Sequence, residues 1–314
     1  MSRATLRLGT RRSPMAVVQS TLVGRAITAK TGREVELVGI QSAGDASREL
    51  LTQIGGTGVF VSSLRASLLA GEVDIAVHSL KDLPTGPAAG IALAAVPWRD
   101  DPRDALAARD GAKLADLPAG AKVGTGSLRR AAQLLILRPD ICPVPVRGNA
   151  GTRLAKVETG ELHAVVLAHA GLARIGRLDA VCQVFDPEEM LPAAGQGALA
   201  VECSDGREDL VALLGSIDDP VSRAATTAER TMLGALQAGC SAPVGAYAAG
   251  TDVLRLRGVV VAADGGTALH GSASGTLEQA EFIGRQVAAD LLDRGAAGFM
   301  AVSGGHLSSG DDDR

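Results

Sequence analysis

Val123-Gly-Thr-Gly-Ser-Leu-Arg-Arg130 and Val146-Arg-Gly-Asn-Ala-Gly-Thr-Arg153 read as two strand-to-helix turns. In each, a short apolar strand stops at a glycine-rich bend and a helix-forming stretch follows. Arg129, Arg130, Arg147 and Arg153 stand at these turns. Guanidinium forks take carboxylates or phosphates in two-pronged geometry, and a helix N-terminus adds free backbone N–H groups, so the pattern points to a site for a small polyanion. Strand and helix keep alternating outward from here, which makes this an α/β chain.

Around the two turns, a unit starting near Arg103 reads as strand Lys122 to Gly124, helix Ser127 to about Leu137, and strand Val144 to Val146. Helix Thr152 to Glu158, closed by Gly160, and strand Ala164 to Ala168 follow. Upstream, strand Thr5 to Gly9 enters Thr10-Arg-Arg-Ser-Pro14, with Ser13 suited to an N-cap and Pro14 to the first helical position. Strand Glu34 to Ile40, a helix from about Phe60 to Ala70 and a buried strand Val73 to Val77 come next, and His78-Ser-Leu-Lys-Asp82 leaves that last strand. Parallel α/β sheets bind ligands beyond the carboxyl ends of their strands, so Arg11 and the Ser79 to Asp82 segment are candidates for one cleft.

Pro97-Trp-Arg-Asp-Asp-Pro102 and Leu191-Pro-Ala-Ala-Gly-Gln-Gly197 read as two crossings between lobes, with Leu199 to Glu202 returning as a strand to the first sheet. From Asp219 the pattern changes to a helix ending near Leu236, a loop Gln237 to Pro243, three strands, and a helix Leu277 to Arg294. The expected architecture is two hinged α/β lobes, periplasmic-binding-protein-like, around a cleft, plus a small α+β C-terminal domain. Domain 1 takes residues 1–98 and 199–217, domain 2 residues 103–195 and domain 3 residues 219–302, with a flexible tail at 303–314.

Composition narrows the partners. Lys plus Arg total 31 against 35 Asp plus Glu, so the net charge of −4 gives no broad field for nucleic acid, and 2 % aromatic residues supply no base-stacking platform. No apolar run reaches the length that spans a bilayer, and the N-terminal residues lack a signal-peptide pattern, so a cytoplasmic, non-membrane protein is expected. Cys142, Cys182, Cys203 and Cys240 are scattered, without zinc spacing, and His78, His163 and His169 share no ligand spacing with a carboxylate or thiolate; no metal is implied. Gly124-Thr-Gly-Ser127 lacks the Gly-Lys-Ser/Thr ending of a phosphate-binding P-loop.

His78-Ser-Leu-Lys-Asp-Leu-Pro84, Gly124-Thr-Gly-Ser-Leu-Arg-Arg130, Arg147-Gly-Asn-Ala-Gly-Thr-Arg153, Leu191 to Gly197 and Ala238-Gly-Cys-Ser-Ala-Pro243 occur in this order after Thr10-Arg-Arg-Ser-Pro14. Together they resemble the hydroxymethylbilane synthase family, also called porphobilinogen deaminases, from about Leu6 to Leu292. The resemblance implies a transferase of tetrapyrrole (haem) biosynthesis that joins four porphobilinogen molecules head to tail, loses ammonia at each addition, and releases hydroxymethylbilane. It also implies a dipyrromethane primer held as a thioether, here by position on Cys240. Each pyrrole carries an acetate and a propionate, so the ligand is a polyanion of the kind the arginine turns require.

By the same resemblance Asp82 is the catalytic residue. Loss of ammonia leaves a cationic azafulvene and coupling gives another cation, so a fixed carboxylate beside the pyrrole N–H groups stabilises both and can shuttle protons. Ser79, Lys81, Thr125, Ser127, Arg129, Arg130 and Gly148 are expected at the cofactor, and Arg11, Arg147, Arg153, Arg174 and Gln196 at the substrate. Bland readings stand beside these: a buried small hydrophobe for Cys240, a surface ion pair for Lys81 and Asp82, a helix cap for Ser127, a hinge for Gln196. Arg129 and Arg130 are neighbours on a helix and are expected to serve different carboxylates.

The chain departs from the family's pattern in Leu51 to Gly58, where bacterial members often carry lysines at the positions of Gln53 and Thr57 and a Lys-Glu pair at Ser62 and Ser63. The glycines there suggest a mobile lid, to which Arg48 can bring charge. A two-lobed anion-binding protein and a phosphate-substrate enzyme are the rival readings, and turnover of porphobilinogen separates them from a deaminase. A monomer is the default.

Overall fold

Leu6–Arg11 (β1) is an interior strand of the first sheet, with Leu6 and Leu8 buried, and the chain continues from it into a helix that returns it to a parallel neighbour. That helix, Pro14–Thr31, starts where Ser13 Oγ accepts the Ala16 N–H at 3.3 Å, with Pro14 in its first turn. It stops at Gly32, whose φ of +67° only glycine adopts without strain and whose N–H donates to the Thr28 carbonyl. Val35–Ile40 (β2) then pairs in parallel with β1 on one side, and Ile75–Ser79 (β3), delivered by the helix Gly58–Leu69, pairs with it on the other. The computed structural model describes residues 5–40, 58–238 and 242–301 of the chain. The expected tail at 303–314 lies outside them.

Ile91–Ala95 (β4) and Leu199–Ser204 (β10) complete this sheet in the order β2-β1-β3-β10-β4, with β10 antiparallel to both its neighbours. The returning strand read from Leu199 is therefore inserted into the sheet's interior. Leu8, Val23, Ile27, Ile75, Leu199, Val201 and Leu214 form its core; each such side chain fully removed from water contributes about 1.5–3 kcal/mol.

The second sheet has the order β7-β6-β8-β5-β9, from Asp104–Ala108 (β5), Lys122–Gly124 (β6), Cys142–Val144 (β7), Ala164–Ala168 (β8) and Gln183–Val184 (β9). β6 runs parallel to β7 and β8, and β5 runs antiparallel to β8 and β9. Both sheets are thus mixed. β4 and β5 escape sequence reading because Ile91-Ala-Leu-Ala-Ala95 and Asp104-Ala-Leu-Ala-Ala108 are alanine-rich, and alanine is a poor strand former that tertiary pairing overrides.

The third sheet is an antiparallel meander of Val244–Ala249 (β11), Leu254–Val261 (β12) and Ala268–Gly275 (β13). The helices Pro220–Ala235 and Ala280–Asp293 join it in one core around Met232, Leu256, Val260, Ile283, Val287 and Leu291. The last helix begins later than its sequence suggests, because a 3-10 turn Leu277–Gln279, closed by reciprocal Thr276 and Gln279 bonds, precedes it. Val259 and Val261 also pack with Ala132 and Leu191, which joins the third sheet to the second lobe.

The two crossings lie side by side, bridged from Arg99 to Ala198. At Gly197, with φ of +89°, a Cβ would collide with the Asp100 carbonyl oxygen, so glycine is required for this approach. Arg99 fastens them: its Nε donates to the Gln196 carbonyl at 2.9 Å and its two Nη atoms to Glu229 at 2.7 and 3.0 Å. Glu229, fully buried, also accepts the Gly195 and Ala248 N–H groups, each at 2.7 Å. Among the described residues no helix is long and apolar enough to cross a membrane.

Candidate active site

The carboxyl ends of β1 and β3 face the turns that follow β6 to β8 across a cleft of about 690 Å³, inside the roughly 300–1,000 Å³ range of small-molecule sites. Arg11, Ser79, Lys81 and Asp82 line it from the first lobe; Arg130, Gly148, Arg153 and Arg174 line it from the second; Gln196 enters from the crossing. The separation in sequence between Arg11 and Asp82 is thus closed by strand order alone.

Asp82 ends a 3-10 turn, Leu80–Asp82, that leaves β3. Leu80 is fully buried and its N–H donates to the Ala198 carbonyl at 3.0 Å, so the turn is anchored between the polar side chains it presents. Ser79 Oγ accepts from Gln19 Nε2 at 2.9 Å. Behind the turn, Glu202 on β10 faces His78 and accepts from Arg65 at 2.6 and 3.0 Å. Burial pushes the Glu202 carboxyl up, but the His78 and Arg65 side chains outweigh it and hold it at about 2.

Asp104, at the start of β5 and fully buried, is the centre of the second lobe's wall. Arg129 Nη1 donates to its Oδ2 at 2.7 Å, and Arg130 donates to its Oδ1 through Nε at 3.0 Å and Nη2 at 2.7 Å. Within the protein these neighbouring arginines converge on one carboxylate, through side chains long enough to reach it from different faces of the helix. Arg129 also donates to the Leu191 carbonyl at 2.6 Å and stands outside the cleft lining, whereas Arg130 reaches it. Burial opposes ionisation of Asp104, yet Arg129 and Arg130 hold its carboxyl far below the usual range.

Sequence reasoning missed Asp104; its only local signal is a lone acid opening an apolar strand.

One carboxylate against two guanidiniums leaves this wall cationic. Gln196, fully buried, accepts from Lys81 Nζ at 3.3 Å and from Arg130 Nη2 at 3.4 Å through Oε1, and donates through Nε2 to the Pro102 carbonyl at 2.7 Å. Burial, then the charge of Arg130, lowers the Lys81 ammonium from 10.5 to about 8, with Asp82 opposing the shift. Burial also lowers the Arg153 and Arg174 guanidiniums, which still remain charged. Cations held out of water in this way gain most from a bound carboxylate.

Not every candidate reaches the cleft. Thr125 is buried, and its Oγ1 accepts the Ser127 N–H at 3.2 Å; Ser127 Oγ caps the helix Leu128–Leu137 by accepting the Arg130 N–H. Both shape the turn behind Arg130 and neither lines the cavity. Arg147 is exposed and outside the lining, while Arg153 lines it with Nε donating to the Gly148 carbonyl at 2.9 Å. Arg174 donates to Asp100 at 2.8 Å and to the Gly197 carbonyl at 2.6 Å, so it also braces the crossings. Cys240 lies outside the described residues, as do Arg48, Gln53 and Thr57 of the expected lid. Ser62 and Ser63 fall within the helix Gly58–Leu69.

Residues 6–212 match the model of "Porphobilinogen deaminase, dipyromethane cofactor binding domain", and residues 224–293 match "Porphobilinogen deaminase, C-terminal domain". The chain belongs to the porphobilinogen deaminase family. It is 58 % identical over 311 residues to the porphobilinogen deaminase of Thermobifida fusca, covering 96 % of this chain and 97 % of that one. Porphobilinogen deaminase 1 of Streptomyces coelicolor is 54 % identical over 314 residues, with 96 % and 98 % covered. Among solved structures, the Methionine Binding Protein MetQ is similar at 13 % identity and a TM-score of 0.43, over 68 % of this chain and 89 % of that one. The protein is an enzyme of this family, and the matched N-terminal model is that of a dipyrromethane-cofactor domain. The donor set fits such a group: Lys81, Arg11, Arg130, Arg153 and Arg174 converge on one cavity, and bound carboxylates would relieve the lost solvation of Lys81, Arg153 and Arg174.

Proposed function

We propose that this protein condenses four porphobilinogen molecules head to tail, with loss of ammonia at each addition, and releases hydroxymethylbilane. The observation that carries this reading is the convergence of five cationic side chains around Asp82 in one interlobe cleft. The dipyrromethane, tied to Cys240 as a thioether, supplies when bound the pyrrole carbon on which the product grows.

Lys81, Arg130 and the Gly148 backbone hold the carboxylate arms of the cofactor, with Arg129, Thr125, Ser127 and Ser79 fixing the turns behind them. Arg11, Arg153 and Arg174 hold the acetate and propionate of the arriving porphobilinogen; Arg147, exposed beside Gly148, meets it at the rim, and Gln196 aligns Lys81 with Arg130. The Asp82 carboxylate accepts a hydrogen bond from the pyrrole N–H of porphobilinogen and stabilises the cation left when its aminomethyl group, in the ammonium form, departs as ammonia; after coupling it takes the proton that the new ring carbon loses and passes it to that ammonia. Exclusion of water from the cleft strengthens these interactions.

The enzyme is read as a cytoplasmic monomer, which gel filtration and fractionation check. The reading as a whole is tested by incubating the purified chain with porphobilinogen and measuring its intact mass. Ammonia release, with a mass above that of the polypeptide by one dipyrromethane and lost in Cys240→Ser, supports it. Unchanged porphobilinogen, or full activity at the bare polypeptide mass, refutes it.

A further inference from the structure

Arg230 lies on the helix Pro220–Ala235 of the third domain, yet its guanidinium is spent on the first lobe. Nη1 donates to the Leu80 carbonyl at 3.2 Å and to the Leu83 carbonyl at 3.0 Å, and Nη2 donates to the Pro84 carbonyl at 2.7 Å. These three carbonyls bracket Lys81 and Asp82. A planar fork with donors in fixed directions can gather three backbone oxygens in a way a point charge cannot. One helical turn later, a Cβ on Gly234 would stand 3.2 Å from Thr85 Oγ1, so the helix lies directly against the segment that continues from Asp82.

The same helix runs towards the cofactor cysteine. It ends abruptly: Gln237 takes a φ of +53°, unusual outside glycine, while its N–H donates to the Gly234 carbonyl at 2.9 Å and the Ala238 N–H donates to the Leu233 carbonyl at 3.1 Å. Two residues beyond Ala238 stands Cys240. A rigid element therefore carries, at one place, the clamp on the Asp82 turn and, a few residues on, the start of the cysteine's segment.

We propose that Arg230 is a positioning residue for the condensation: it locks the turn bearing Asp82 to the helix leading into Cys240, so that the carboxylate keeps its place relative to the tethered cofactor. The inference rests on the roles given above to Asp82 and Cys240. Arg230 touches no reacting atom. It acts through the Leu80, Leu83 and Pro84 carbonyls on where the Asp82 carboxylate sits, and a misplacement of about 1 Å is enough to cost about a hundredfold in rate.

The test uses the cofactor-loaded enzyme. Arg230→Gln, Arg230→Lys, Asp82→Asn, Asp82→Glu and the double variant Arg230→Gln/Asp82→Glu are compared by intact mass, melting temperature, kcat and KM. Arg230→Gln is expected to lower kcat per loaded molecule by about ten- to a hundredfold with KM within about threefold. Arg230→Lys recovers part of the loss, and the double variant loses less than the product of the two single losses, because both changes displace the same carboxylate. Parental kcat in loaded Arg230→Gln, or strictly multiplicative losses, overturns the proposal. Should Arg230→Gln not fold, Arg230→Lys takes its place in the same cycle. An active Asp82→Asn would remove the catalytic reading itself, whereas an inactive Asp82→Asn beside an unaffected Arg230→Gln removes only the role of Arg230.

Discussion

Gln196 Nε2 donates to Asp104 Oδ1 at 2.8 Å, so the amide of the second crossing rests on the carboxylate that opens the second lobe's sheet. Through its other end the same amide meets Lys81 of the first lobe. A chain of polar contacts thus runs from one lobe to the other through a single buried side chain.

Replacing Asp104 by Asn removes the counter-charge of two buried guanidiniums while keeping shape. Loss of one partner from a buried ion pair costs about 3–5 kcal/mol, so Asp104→Asn is expected to lose stability on that scale in denaturant unfolding. A change under about 1 kcal/mol would show that solvent reaches Arg129 and Arg130 more freely than their contacts indicate.

Asp82→Asn keeps the size of the side chain and removes its charge. With loss of a fixed charge at the reacting centre, kcat is expected to fall by at least about a hundredfold, while the melting temperature stays at that of the parent. Steady-state rates on porphobilinogen decide it; near-parental turnover would strip Asp82 of its role.

Lys81 gives a pH dependence with a definite sign. In the folded protein its ammonium holds its proton less tightly than the ordinary 10.5, titrating at about 8. The unfolded chain is the stronger proton binder, so Lys81 opposes folding below pH 8 and that penalty fades between 8 and 10.5. Its positive charge, by contrast, is lost from the cleft as pH rises through 8. In the cofactor-free Cys240→Ala protein, where porphobilinogen can enter the cofactor's place beside Lys81, its calorimetric affinity is expected to fall from about pH 7 to about pH 9, and Lys81→Arg should flatten that slope because arginine stays charged. An identical slope in Lys81→Arg would assign it to another group.

Arg153 and Arg147 form a matched pair for testing placement. Arg153 lines the cleft and is tied to the Gly148 carbonyl, whereas Arg147 is exposed. Arg153→Lys gives up the fork and the tie, and a KM increase of about tenfold is expected; Arg147→Lys should stay within about threefold. Equal effects would place Arg147 in the wall when substrate is bound.

Much of the framework was legible because its signals are local. Ser13 and Ser127 act on residues within one helical turn, and both cap helices where the sequence placed them. Arg11, Ser79, Lys81, Asp82, Arg130 and Arg153 follow from strand ends once the sheet order is known. What could not be read is where long side chains turn. Arg129 and Arg130 reach back to Asp104, Arg174 reaches Asp100, and Arg230 crosses from the third domain to Leu80. These contacts join segments far apart in the chain, and nothing in a helix or strand period encodes them. The alanine-rich strands β4 and β5 were missed for the related reason that pairing partners, not propensity, hold them in the sheets.

The position of β10 has a consequence for how the polypeptide comes into being. Its six residues, Leu199–Ser204, sit between β3 and β4, so the first lobe's sheet stays split until the ribosome has added them. The second lobe, by then already synthesised from Asp104 to Val184, needs no later strand to finish its own sheet. During translation the later-encoded lobe is therefore the first that can close, and the N-terminal one waits with an open seam for its missing strand.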